Sequence, residues 1–351
     1  MKKTFGVCLF LCVIMIILVV ISTSSPSSTL STSPPSSTQA RLVFASDFAT
    51  DEGCADHSST DACDLFTANL DLDAGSVDDV KQVTETPEIS ESYPVWNPNG
   101  MVVYASVFET ITQKLINYVD LTTGVTDTLL SLATWPEVSP EGTTLLYVTS
   151  DTDRLMSAAL TLNGLSISES SALTEENEQG DPDYAPDGHT IILHEILDDG
   201  AHGVILDTQT GDTATWENKS GHCAFSPSGT LTVCDNSKGG GLFARSWING
   251  SLGESSLFLA DLKPEALTKY DPVFSSCEGA SFNYPTFCGD DEHLLVSTSC
   301  NTDTKGTVSF SRLFFIDLSQ TNPIYHPIGL ALDEAFDGPG MSSWTVDCLL
   351  L

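Results

Sequence analysis

From residue 41 onward, short runs of β-branched and aromatic residues alternate with clusters of Pro, Gly, Asn and Asp. Met101–Val107, Thr144–Thr149, Thr190–Ile196, Leu231–Cys234 and Leu294–Ser299 are such runs. They are too short for amphipathic helices and have the composition of strands. Each follows a recurring segment. Tyr93-Pro-Val-Trp-Asn-Pro-Asn-Gly100 returns as Trp135-Pro-Glu-Val-Ser-Pro-Glu-Gly142, Asp181-Pro-Asp-Tyr-Ala-Pro-Asp-Gly188 and His222-Cys-Ala-Phe-Ser-Pro-Ser-Gly229. A degenerate copy is Tyr284-Pro-Thr-Phe-Cys-Gly-Asp-Asp291. The last positions lie 42, 46, 41 and 62 residues apart, a spacing that marks a repeat architecture.

Each copy has a physical reading. The opening residues form a strand whose large side chain enters the core. Pro-x-Gly then closes a tight turn, proline fixing φ and glycine accepting a positive φ. The apolar run is the second strand. A third strand ends in an Asp-containing turn, as in Ile116–Gly124, Val204–Gly211, Leu257–Asp261 and Leu313–Asp317. A fourth follows. Four antiparallel strands every ~40–45 residues make a propeller blade. Leu42–Asp47 and Leu65–Asp71 match second and third strands of a unit with no opening strand of its own. Ser343–Asp347 supplies it from the other end of the chain. The expected fold is all-β: a six-bladed β-propeller of four-stranded antiparallel blades, closed by pairing the N- and C-terminal strands.

The Pro-x-Trp-x-Pro-x-Gly strand, the Asp-Leu-x-x-Gly turn and the six-fold count resemble the TolB-type, WD-like β-propeller family over residues 41–348. That resemblance implies the fold. Members of the family include periplasmic scaffolds that bind other envelope proteins and the propeller halves of prolyl oligopeptidase-like peptidases. A stand-alone propeller is expected here, without the N-terminal α/β domain or a C-terminal peptidase domain.

Met1-Lys2-Lys3 precedes an uncharged stretch from Phe5 to Ile21. It reads either as a cleaved signal peptide, giving a secreted protein, or as a transmembrane anchor over residues 4–21 with the propeller outside the cytoplasm. In residues 22–39, 16 of 18 are Ser, Thr or Pro, a composition that cannot bury a core and suits a solvated stalk. The expected organisation is therefore 1–21 signal or anchor, 22–40 stalk and 41–348 propeller. An envelope compartment such as the periplasm is implied.

Charge narrows the partners. With 48 acidic against 13 basic residues the formal net charge is −35, which repels nucleic acid and anionic lipid. Much of that acidity lies in the repeated turns, at Asp71, Asp120, Asp207 and Asp317.

Eight cysteines lie beyond the apolar segment, an even number that suits disulfides in an exported chain. Cys223 and Cys234 flank one Pro-x-Gly turn symmetrically and should face each other on neighbouring strands. Cys54 and Cys63 bracket an acidic loop and should close it. The sequence does not decide the pairing of the other four; Cys277 with Cys288 and Cys300 with Cys348 is the working expectation.

Most candidate chemistry dissolves into the repeat. Asp71–Asp79 lacks the alternation of a calcium loop and aligns with the Asp turn. His194-Glu195 lacks the second histidine of a zinc-peptidase motif, and no G-x-S-x-G elbow occurs. Lys238–Arg245 is read as a loop insertion in blade 5. Asn218-Lys-Ser220 and Asn249-Gly-Ser251 fit the N-glycosylation pattern.

One constellation survives. The residue before the first strand of each unit should lie at one mouth of the channel: Tyr93, Trp135, Asp181, His222, Tyr284 and, by closure, Ser343. Aromatic, acidic and imidazole groups on one rim can stack on a sugar or hold a peptide. No cofactor is expected, with a channel-bound cation such as calcium left open. The leading expectation is a non-enzymatic, monomeric binding propeller for a protein or polysaccharide of the cell envelope. The alternative is a propeller lyase or hydrolase using Asp181 and His222 as acid and base.

Overall fold

A computed structural model describes residues 39–46, 63–86, 89–108, 113–161, 166–175, 179–197, 200–235, 241–248, 251–259, 267–301, 308–319, 323–328 and 346–350. Their strands form six four-stranded antiparallel sheets. The first strands of blades 2 to 6 are Ile89–Asn97, Ala133–Val138, Gln179–Tyr184, Cys223–Phe225 and Gly279–Phe287. With Val346–Leu350 of blade 1 they contact one another in ring order, which places them around the axis.

Burial explains the pattern along the chain. Leu145–Val148, in the second strand of blade 3, is buried on both faces and therefore continuously apolar. The outer strand Ser166–Ala172 is mostly exposed and polar. Six hydrophobic clusters form, each between adjacent blades. Phe44 and Phe66 of blade 1 share one with Leu295 and Phe315 of blade 6. The core is thus a ring of inter-blade layers.

The turns behave as the repeat requires. Gly142 donates its N–H to the Ser139 carbonyl at 2.7 Å, and Gly188 to that of Ala185 at 3.0 Å. Gly188 has φ +74°, and a Cβ there would lie 2.9 Å from the Glu141 carboxylate of the preceding turn. In the acidic turns the carboxylate caps the backbone. Asp71 accepts the N–H groups of Asp73 and Ala74 at 3.0 and 2.9 Å, and Asp207 those of Gln209 and Thr210 at 2.8 and 3.1 Å.

Ring closure pairs Val346–Leu350 with Gln39–Ser46, from Phe44↔Val346 to Ala40↔Leu350. Asp347 makes the inter-blade contact that Asp183 makes in blade 4. Ser343 lies outside the described residues.

Cys223 and Cys234 are cross-strand partners joined by a disulfide. The other pairing is corrected to Cys277–Cys300 and Cys288–Cys348. Sequence proximity failed because Cys348 returns beside blade 6 when the ring closes. Cys63 is disulfide-bonded, but Cys54 lies outside the described residues.

Blade 5 needs a second correction. Leu242–Ile248 is its third strand, not part of an insertion, and Ser251–Leu259 is its outer strand. The buried Arg245, stacked 4.9 Å over the Trp216 ring, hides the strand character of that run. The extra length falls instead between blades 5 and 6. There Leu267 and Phe274 are fully buried, and Asp271 pairs with Arg312 at 3.2 Å. Among the described residues no helix is long and apolar enough to cross a membrane. The expected anchor, the stalk apart from its last residues, and Asn249 lie outside them, as does the Asn218 side chain.

Candidate functional site: the channel

In blades 2, 3, 4 and 6 the first strand carries a bulge at the X-Pro step, where two residues oppose one on the partner strand. Proline has no N–H for the ladder, and the residue before it turns left-handed. Tyr93, Trp135, Asp181 and Tyr284 have φ of 50°, 53°, 49° and 50°. Such conformations cost roughly 1–2 kcal/mol each outside glycine. Four at equivalent positions aim four side chains at the axis.

Tyr93, Trp135, Asp181 and Tyr284 therefore lie inside the first strands, whereas His222 immediately precedes Cys223–Phe225. They converge. Tyr93 stacks on Trp135 with ring centroids 4.0 Å apart, and His222 on Tyr284 at 3.6 Å. Trp135 and His222 lie 6.2 Å apart with planes 19° from parallel. Tyr93 and Tyr284 share a side-chain hydrogen bond. Together the four rings form a plug.

Charged groups surround it. His222 Nδ1 lies 2.8 Å from Asp235 Oδ2, while Asp235 Oδ1 accepts the Gly221 N–H at 2.9 Å. Burial alone would weaken the hold of His222 on a proton, but Asp235 and then Asp181 outweigh it and raise its pKa. Burial pushes Asp181 up to about 6, against the pull of His222 and with the push of Asp235. His194 meets His222 edge-on at 5.5 Å, and burial lowers it to about 4, so it is neutral.

Two positions further along each first strand lies a second layer: Val95, Glu137, Asp183, Ala224, Thr286 and Asp347. Between the layers is a cavity of about 100 Å³. Its carboxylates have a structural task. Each first strand presents a bare edge to the channel. Asp183 accepts the Phe225 N–H of the next blade at 2.6 Å, and Asp347 that of Trp96 at 2.7 Å. Burial drives Asp183 up to about 8, Asp347 up to about 6, and Glu137 well above the carboxylate range.

Sequence reasoning missed Glu137, Asp183, Asp347, His194 and Asp235. The first three form a column of the repeat and were readable by the step that found the aromatic column. His194 and Asp235 lie on second strands and had no such signal. Among the described residues no group of three or more His, Cys, Asp or Glu is placed to hold a metal ion. The cavity, lined by Asp181 but not by His222, is smaller than the ~300–1,000 Å³ usual for small-molecule sites.

No protein-family model and no curated protein matches this sequence. Solved structures match its shape. TolB from Acinetobacter baumannii is similar with a TM-score of 0.60 at 15% identity, over 88% of this chain and 66% of that one. The chain thus spans just under two thirds of the TolB chain. A chain of a nidogen/laminin complex gives 0.56 at 11% identity, over 89% and 98%. An oligogalacturonate lyase in complex with manganese gives 0.44 at 14%, over 80% and 91%, too distant to carry an argument. The fold is a TolB-like six-bladed propeller.

Proposed function

We propose that this chain is a non-enzymatic recognition propeller outside the cytoplasm, engaging a protein or glycan of the cell envelope through the channel mouth and the loops around it. The observation that carries the reading is the convergence of Tyr93, Trp135, His222 and Tyr284 into one stacked group over a small acidic cavity. Strained backbone at Tyr93, Trp135 and Tyr284 supports three of its four members, and strain concentrates where a surface has a task. The nidogen match comes from a protein–protein complex, which fits the same role. Three disulfides suit an oxidising compartment. Residues 4–21 anchor the chain with 22–40 as a stalk, or are removed as a signal.

The test is affinity capture with the full chain from envelope protein and glycan fractions, set beside Trp135→Ala and Tyr284→Ala. The reading expects a captured species that both variants lose while retaining the parent's thermal transition. Equal capture by the variants removes the mouth from the binding surface. Turnover of a captured glycan, abolished by Asp181→Asn, establishes an enzyme instead.

A further inference from the structure

The plug is built differently from an inert core. His222 is the only one of its four rings that can carry charge near neutral pH, and it meets the buried Asp235 carboxylate, with the half-buried Asp181 acting on it through space. Asp235 holds Nδ1 at 2.8 Å from one side, and Asp181 adds its field from blade 4. Tyr284 covers one face of the imidazole at 3.6 Å, with Trp135 6.2 Å from it. The edge of His194 completes the surroundings at 5.5 Å. Tyr93 and Tyr284 remain protonated through the physiological range because burial raises both. Below the plug, Glu137, Asp183 and Asp347 line the cavity. No lysine or arginine lines that cavity among the described residues.

We propose that the Tyr93–Trp135–His222–Tyr284 stack is a proton-latched plug: imidazolium at His222, held by Asp235 with Asp181 acting through space, keeps the rings packed, and loss of its proton releases them and opens the cavity to solvent. Protonated, the ring neutralises part of the carboxylate field and stacks as a cation on Tyr284. Deprotonated, it leaves the Asp235 and Asp181 carboxylates without a counter-charge. Buried like charges are relieved by hydration. Parting the rings lets more water reach them.

The sign is the same for both members of the latch. His222 binds its proton more tightly folded than unfolded, so its contribution is complete at low pH and fades as pH rises through its folded pKa. Asp181, pushed up to about 6, also favours the packed state at low pH and weakens it once ionised. Acid closes the plug and alkali loosens it. The inference rests on the proposed function only in placing the working surface at the channel mouth; the latch is read on the protein alone.

The experiment is acrylamide quenching of tryptophan fluorescence from about pH 5 to about pH 9, the range in which such an imidazole titrates. The difference between the parent and Trp135→Phe isolates Trp135. Its quenching should rise several-fold across the range while the far-ultraviolet strand signal stays constant. Asp235→Asn, which removes one carboxylate from the imidazolium, should move the midpoint down by about one pH unit or more. His222→Phe keeps a ring but supplies no counter-charge to Asp235 and Asp181, so Trp135 should be as accessible at every pH as it is in the parent at about pH 9. Flat quenching in the parent, or an undiminished rise in His222→Phe, overturns the latch. So does a rise that coincides with loss of the strand signal, because unfolding then exposes the ring. Capture of a partner at the mouth with flat quenching leaves the binding reading standing and removes only the latch.

Discussion

Asp347 accepts the backbone N–H of Trp96 at 2.7 Å, across 251 residues of chain. The bond joins the closing strand of blade 1 to the first strand of blade 2. Asp183 and Phe225 repeat the relationship between blades 4 and 5 at 2.6 Å. A carboxylate of one blade thus satisfies an edge N–H of the next, which has no further strand to pair with.

Removing that acceptor should weaken the ring. Asp347→Ala leaves the Trp96 N–H unpaired and should lower stability by about 1–3 kcal/mol, measured as a fall in urea midpoint. Asp347→Asn retains an acceptor and deletes a charge that burial disfavours. At about pH 8 it should therefore match or exceed the parent. Equal midpoints for the two variants would show that the N–H does not depend on this side chain.

Stability should fall as pH rises from about 4 to about 8, because burial raises Asp181 and Asp347 to about 6 and Asp183 and Glu91 to about 8. A carboxyl with a raised folded pKa binds more protons folded than unfolded over that window, so the slope is negative. The acidic turns act oppositely. Asp120 is lowered by the Thr123 hydroxyl and neighbouring N–H groups; at Asp317, burial is outweighed by hydrogen bonds from Ser319. Their stabilisation is present above the unfolded value and lost as pH falls through the folded one. A thermal transition highest in mildly acidic buffer and lower on both sides is expected. A transition that climbs steadily to about pH 8 would contradict the buried-acid account.

Gly188 and Gly124 separate backbone strain from packing. Both have positive φ, +74° and +72°, but a Cβ meets the Glu141 carboxylate only at Gly188 and nothing within 4 Å at Gly124. Gly124→Ala should cost about 1 kcal/mol from conformation alone. Gly188→Ala should cost more in thermal denaturation. If Glu141→Ala removes the difference, the excess belongs to the turn-to-turn contact.

The fold was legible because one turn chemistry, Pro-x-Gly, recurs between apolar runs whose alternation needs no tertiary information. Thr144–Thr149 was readable to the residue, since all its burial comes from continuous apolar character. Leu242–Ile248 was not, because Arg245 is buried by stacking on a tryptophan from another blade, a partner that sequence distance conceals. The aromatic column was readable as a set, but the backbone that places it was not. Only the bulge at the X-Pro step carries Tyr93 and Trp135 into the channel, and it follows from backbone geometry that propensities do not encode. The Cys288–Cys348 bond escaped for a related reason: it spans the closure.

The order of strands has a consequence for synthesis. Val346–Leu350 comes last in chain order among the described strands, yet it occupies the innermost place of blade 1, beside Gln39–Ser46. Blades 2 to 6 each draw on one continuous stretch and can form as it appears. Blade 1 cannot. Until residue 350 is free, Gln39–Ser46 lacks its inner partner, and Cys288 lacks Cys348. The ring therefore stays an open arc until Val346–Leu350 joins Gln39–Ser46. Closure is the one step of assembly that needs both ends of the propeller at once.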